Sequence, residues 1–316
     1  MKKFTLKNIA ILISLVIVLL VFGSNTIQAQ PAFKPVPEMQ IVPQPYSQTA
    51  FFRNGVEIAR YHFGSQLNRP FIFPIIGPSG LSLIRMAHPR DPNGHSHHNG
   101  VWISHHIING IDFWGDTGEG KIVHKSIVKY NDEGGDASII AENHWLDGDK
   151  KALLQEIRGM TAHPLPDKEW LLIIDLQFKA LNGDVKFEDT PFGMIGVRMA
   201  KTIGVHDGGG MIRNAEGGVN EKAIFRKKTR WVDYSGRITN DAIEGITLFD
   251  HPMNPNHPAL FHVRNDGWMG ACLNHQAPFT LKNGKSLKLR YGLYIHSDLK
   301  PLDDIERQWK QFTDMD

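Results

Sequence analysis

The run from Trp170 to Lys179 alternates without a break, with Trp170, Leu172, Ile174, Leu176 and Phe178 on one face. Lys285 to His296 repeats the pattern through Leu287, Leu289, Tyr291, Leu293 and Ile295. Successive side chains change face only in extended backbone, so period-2 hydrophobicity specifies half-buried strands. Shorter runs of the same kind, separated by Gly, Pro, Asn and Asp, fill most of the chain. Asn54-Gly55, between Phe51-Phe52-Arg53 and Val56–Tyr61, marks a type I′ hairpin, in which both central residues take positive φ. The expected fold is therefore mainly β, an antiparallel sandwich or barrel. One helix is expected, at the C-terminus. Ser297 or Asp298 would cap it, Pro301 suits its first turn, and Leu302, Ile305, Trp309 and Phe312 recur at 3–4 spacing. Glu306 and Lys310 form a favourable i,i+4 pair.

Composition removes several function classes. Cys272 is the only cysteine, which excludes an intramolecular disulfide, a tetrathiolate zinc site and a CxxC redox pair. The net charge of +2 is spread along the chain without a basic stripe, so no nucleic-acid partner is expected. Lys2, Lys3 and Lys7 precede an apolar run from Ile9 to Gly23, and Ala29 offers a small residue at the cut. This is the pattern of a secretory signal peptide over 1–29. Export to the periplasm or beyond follows, and no cysteine after the apolar core marks a lipoprotein. Beyond it no apolar run approaches the roughly 20 residues of a membrane span. Residues 30–46, with five prolines, read as a linker or edge segment, and 47–316 as a single domain. Gly208-Gly209-Gly210 lacks the strand-to-helix context of a phosphate loop and reads as a turn.

Histidine is the one compositional excess. Of sixteen, seven lie between residues 85 and 124: His88, His95, His97, His98, His105, His106 and His124. Imidazole titrates near neutrality and suits general acid–base work; its neutral form also ligates zinc, copper or iron. The bland alternative is a set of loop histidines with one or two satisfied in the core. Strand parity would place His105 with Val101 and Ile103, and His106 with Trp102 and Ser104. His97, His98, His105 and His124 with Asp112 are the candidate metal donors, although no HxxxH spacing supports them, and no cofactor is expected.

A second group lies further along. Glu188 precedes the Arg198 strand, and His262, Arg264 and His296 follow. Arg198 and Arg264 could clamp a carboxylate or a pair of sugar hydroxyls, while Trp102, Trp114, Trp231 and Trp268 could stack on a sugar ring.

Several ordered blocks resemble the bacterial PmoA-like family. They are Arg69–Pro74, Gly77–Gly80, the His88 to Pro92 block, His95–His98 with Gly100-Val101-Trp102, Asn109–Trp114 and Gly120–His124. Asp189–Gly193, Asp250-His251-Pro252 and His262-Val263-Arg264 extend the match over roughly 50–297. The resemblance implies a secreted β protein from polysaccharide-utilisation genes, with a β-supersandwich like that of galactose mutarotases. The family's label, methane oxygenase, names an integral membrane protein, and that chemistry is not carried over.

These readings combine into one expectation, a carbohydrate-active enzyme acting on a glycan or small sugar. His97 or His98 would move the proton, with Glu188 or Asp112 as partner. His88, Arg90, His105, Trp114, His124, Arg198, His262, Arg264 and His296 would line the substrate groove. A non-catalytic glycan-binding protein and a metal-dependent oxygenase are the alternatives.

Overall fold

The two long alternating stretches become neighbours at the centre of an eight-stranded antiparallel sheet. Its order is Met211–Asn214, Trp231–Arg237, Ile243–Asp250, Ser286–Ser297, Trp170–Ala180, Ala152–Pro164, Ala137–Leu146 and Lys121–Asn131. The computed structural model describes residues 35–88, 90 and 95–315, so the leader expected over 1–29 lies outside the described residues. A second antiparallel sheet has nine strands: Met39–Gln44, Gln48–Arg53, Val56–His62, Phe71–Ile75, Val101–His105, Gly193–Arg198, Trp268–Cys272, Leu260–Arg264 and Lys227–Lys228. Met39–Gln44, at the edge of this sheet, comes from the proline-rich stretch.

The architecture is mainly β. Leu172, Ile174, Phe178, Leu289 and Leu293 of one sheet share a single core with Phe51, Val101, Ile103, Ile195, Val197 and Val263 of the other. Each fully buried side chain of this size contributes roughly 1.5–3 kcal/mol. Asn54 and Gly55 take φ of 49° and 77°, as a type I′ turn requires.

The strand Trp170–Ala180 is buried on both faces over its first five residues. Helix Leu302–Asp314 explains this, because Ile305 and Phe312 cover Leu171, Ile173 and Tyr294 on the outer side. The expected cap differs. Pro301 is the N-cap and no side chain closes the helix start. Ser297 instead ends the preceding strand, and its hydroxyl donates to Glu169 Oε1 at 2.7 Å. Asp303 and Asp304 supply the favourable charge in the first turn. Glu306 accepts from Arg230 Nε and Trp231 Nε1, tying the helix to the sheet.

A third, four-stranded sheet runs in the order Phe279–Leu281, Val185–Phe187, Ile107–Ile108 and Ile111–Asp112. It folds the chain back immediately after Val101–His105 and brings residues 106–115 over the outer face of the nine-stranded sheet.

Candidate functional site

Sheet register builds the floor. Trp102 pairs with Gly196, Gly196 with Gly270, and Gly270 with His262. Four neighbouring strands thus present indole, bare backbone, bare backbone and imidazole in one row on the outer face. A Cβ on Gly196 would meet Trp102 at 2.3 Å, so glycine is what lets the indole lie across the strand. We expect Gly196→Ala to displace Trp102 and lose about 1–3 kcal/mol. Thermal melting read by tryptophan fluorescence checks this, and an unchanged melt and spectrum would contradict it.

Aromatic rings fill the space the glycines leave. His98 stacks on Trp102 with centroids 4.7 Å apart and leans on Trp268 at 4.9 Å, while His262 stacks on Trp268 at 4.2 Å. His95 stacks on His98 at 4.4 Å, and His97 meets His98 edge-on at 4.5 Å. One donor atom from each of His95, His97 and His98 lies within 4.8 Å of the others. Trp114 and Phe192 close the far side, 4.9 Å apart. The result is a hollow of about 580 Å3 whose walls also include His106, Asp112, Arg264 and Asp266.

Two polar clasps hold the rim. Arg69, 2% exposed, reaches the carbonyl oxygens of Trp114, Gly115 and His97. Asp112 Oδ1 accepts the backbone N–H groups of Trp114 and Gly115 at 2.7 and 3.1 Å, a local turn that fixes the indole. Asp266 links rim to floor, since Oδ2 accepts from His95 Nε2 at 3.0 Å and Oδ1 from Arg198 at 3.1 Å.

Burial favours the neutral form of three of the imidazoles, His97, His98 and His262. Burial, aided by the Arg69 charge, lowers His97 from 6.5 to about 4. Burial and the neighbouring His97 and His95 hold His98 well below its usual value. Burial lowers His262 to about 4 despite its bond to the Pro191 carbonyl. That carbonyl can only accept, so His262 Nδ1 carries the proton and Nε2 is left as an acceptor. Burial opposes ionisation of Asp266, yet His95 and Arg198 hold its carboxyl below the usual range. His98 Nδ1, Trp102 Nε1 and Trp268 Nε1 are buried without a hydrogen-bond partner among the described residues. Core packing rarely tolerates such a concentration of unspent polar atoms.

The structure brings together His97, His98, Asp112, Trp114, His262 and Arg264 from the expected set. It separates the others. His105 points inward from its strand, is fully buried, and bonds Asn274 Oδ1 and the Ile107 carbonyl, so parity removes it as a substrate or metal ligand. His124 sits in the eight-stranded sheet, packed on Phe63 at 4.3 Å and donating to Asn143 Oδ1. His296 is fully buried against Asp233 at 3.0 Å in the same sheet. Glu188 follows a strand of the small sheet and pairs with Lys186 at 2.8 Å, outside the hollow. His88 and Arg90 are exposed and engage each other, the Arg90 amide donating to His88 Nδ1. Arg198 lies wholly buried behind Asp266, as an ion-pair partner and not a clamp. Only Arg264 of the two guanidiniums reaches the hollow, paired with Glu221 at 3.2 Å.

Asp266 was absent from the expected set. It occupies the turn between the strands of His262 and Trp268, where an Asn-Asp-Gly run reads as a hairpin signal. His95 and His106 were counted only in the histidine cluster, Phe192 stood inside a quoted block without a role, and Trp268 was named only as a stacking candidate. A larger hollow, of about 880 Å3, lies on the outer face of the eight-stranded sheet. Its Arg290 and Asp175 are paired with each other at 2.7 Å, so the convergent chemistry is in the smaller one.

No helix among the described residues is long and apolar enough to cross a membrane. No curated protein matches the chain. Among solved structures, a galactose mutarotase related enzyme from Lactobacillus acidophilus is 8% identical, with 82% of this chain and 97% of that one covered at a TM-score of 0.36. The heparan sulfate lyase HepC from Pedobacter heparinus is 7% identical at a TM-score of 0.33, with 80% of this chain covered. A human-microbiome protein provisionally named kojibiose phosphorylase is 12% identical at a TM-score of 0.37, with 90% of this chain covered. The chain spans 31% of the lyase's length and 37% of the phosphorylase's. The expected PmoA label is not the one the matching family profile carries. With residues 48–310 matched, the chain belongs to the family of unknown function DUF6807.

Proposed function

We propose that the hollow binds a saccharide and that the protein is an exported carbohydrate-active enzyme, cleaving or isomerising its substrate. The observation that carries this reading is the gathering of aromatic rings and polar side chains around one hollow. Trp114, Phe192 and Trp268 line one hollow of about 580 Å3 together with five imidazoles, Asp112 and Arg264. A pyranose ring has an apolar C–H face and a rim of hydroxyls, and such walls complement both.

Roles follow from access. Arg264 is 44% exposed and supplies donors to hydroxyl or carboxylate oxygens. Asp112 Oδ1 is occupied by two amides, which leaves its other oxygen to accept from a ligand. His98, 1% exposed, is too enclosed to meet substrate. His106 and His262 Nε2, with His97 beside them, are the imidazoles placed to move a proton.

An oligosaccharide panel tests the proposal, with calorimetry for binding and chromatography for products. One glycan class is expected to bind and turn over. Arg264→Ala should weaken binding at least tenfold with the fold intact. His106→Ala should keep binding and lose about 10²–10⁴ in turnover. Binding without turnover by the parent would reassign the protein as a glycan-binding module, and absence of any glycan binding would remove the saccharide reading altogether.

A further inference from the structure

We infer that His95, His97 and His98 form a binding site for one divalent transition-metal ion of the zinc class. Their donor atoms already lie within 4.8 Å of one another, and Zn–N bonds of about 2.0–2.1 Å draw such a trio inward. The tautomers suit the task. A carboxylate only accepts, so His95 Nε2 carries the hydrogen given to Asp266, which leaves Nδ1 as the ring atom to offer a metal. This carboxylate–imidazole arrangement is the outer support that orients metal-bound histidines and fixes the atom they offer. His98 Nδ1 is independently suggestive, being buried with no hydrogen-bond partner among the described residues. Among the described residues the His97 ring meets only other rings, edge-on to His95, His98 and Trp114, and no hydrogen bond there engages its donor atom.

Three imidazoles on one side of an open hollow leave a coordination position toward its interior. That is the donor set of a catalytic ion rather than of a closed structural one. Under the function proposed above, the ion would hold a hydroxyl oxygen of the sugar, leaving His106 and His262 as the imidazoles that handle protons. The metal site itself stands on the trio and Asp266, without the sugar.

Untagged full-length protein, dialysed against chelator, is titrated with Zn2+ in competition with a chromophoric chelator, and with Co2+ by visible absorption. One equivalent should bind, and cobalt should give the d–d bands of a low-symmetry nitrogen site. His97→Ala should lower affinity at least 100-fold. Asp266→Asn, which keeps the side chain's shape, should lower it about 10–100-fold. No saturable binding by the parent, or equal binding by parent and His97→Ala, overturns the assignment. Repeating the glycan titration on the chelator-treated protein separates the two claims. Glycan bound where no metal binds rejects the ion alone, whereas metal bound without any glycan rejects the saccharide alone.

Discussion

Asp233→Ala is expected to cost about 3–5 kcal/mol of stability while leaving ligand affinity in the hollow unchanged. The carboxylate is wholly buried and accepts from His296, Arg213, Ser235 and Thr247 at once. Burial alone would disfavour its charge, yet His296 and Arg213 hold the carboxyl below its usual range. Removing it strands a buried imidazole and a guanidinium that is 11% exposed, which costs far more than the pair itself contributes. Guanidinium unfolding of parent and variant measures the loss. A shift under about 1 kcal/mol, or a changed affinity in the hollow, would show that His296 belongs with the site after all.

Acid should destabilise the fold well before its carboxylates protonate. His105 and His262 are both lowered by burial from 6.5 to about 4. Between those values the unfolded chain takes up protons at both positions and the folded chain does not. Their stabilisation is therefore complete above about pH 6.5 and is lost as pH falls toward 4. The full difference is on the order of 3 kcal/mol per residue. Urea midpoints at pH 7.5, 6 and 5 should fall steadily, and His105→Gln should flatten the slope. A parent midpoint that stays level from 7.5 to 5 would contradict this account.

Strand parity was the legible part of this chain. The alternation in 170–179 and 285–296 and the Asn54-Gly55 turn carry their own periodicity, so the sheet faces they specify are the ones observed. Parity also foretold that His105 would share the inward face of Val101 and Ile103; the error lay in giving an inward residue a ligand role. The alternate face of 285–296 was harder. Arg290, Tyr294 and His296 look like a polar surface locally, but the thirteen-residue helix that follows covers part of it, a fact that no window on the strand contains. For the hollow, the density of histidine before Val101 pointed to a loop that lines it. Which C-terminal residues face that loop depends on pairing between Gly193–Arg198, Trp268–Cys272 and Leu260–Arg264, which are far apart in sequence. Asp266 shows the limit most clearly, since its neighbours mark a turn and its partners stand 171 and 68 residues away.

Arg69 grips the rim through main-chain oxygens alone, at residues 97, 114 and 115. Such a grip is indifferent to which side chains those positions carry. Substitutions at 97 and 114 can therefore change the chemistry of the mouth while the loop geometry persists, without rebuilding the scaffold.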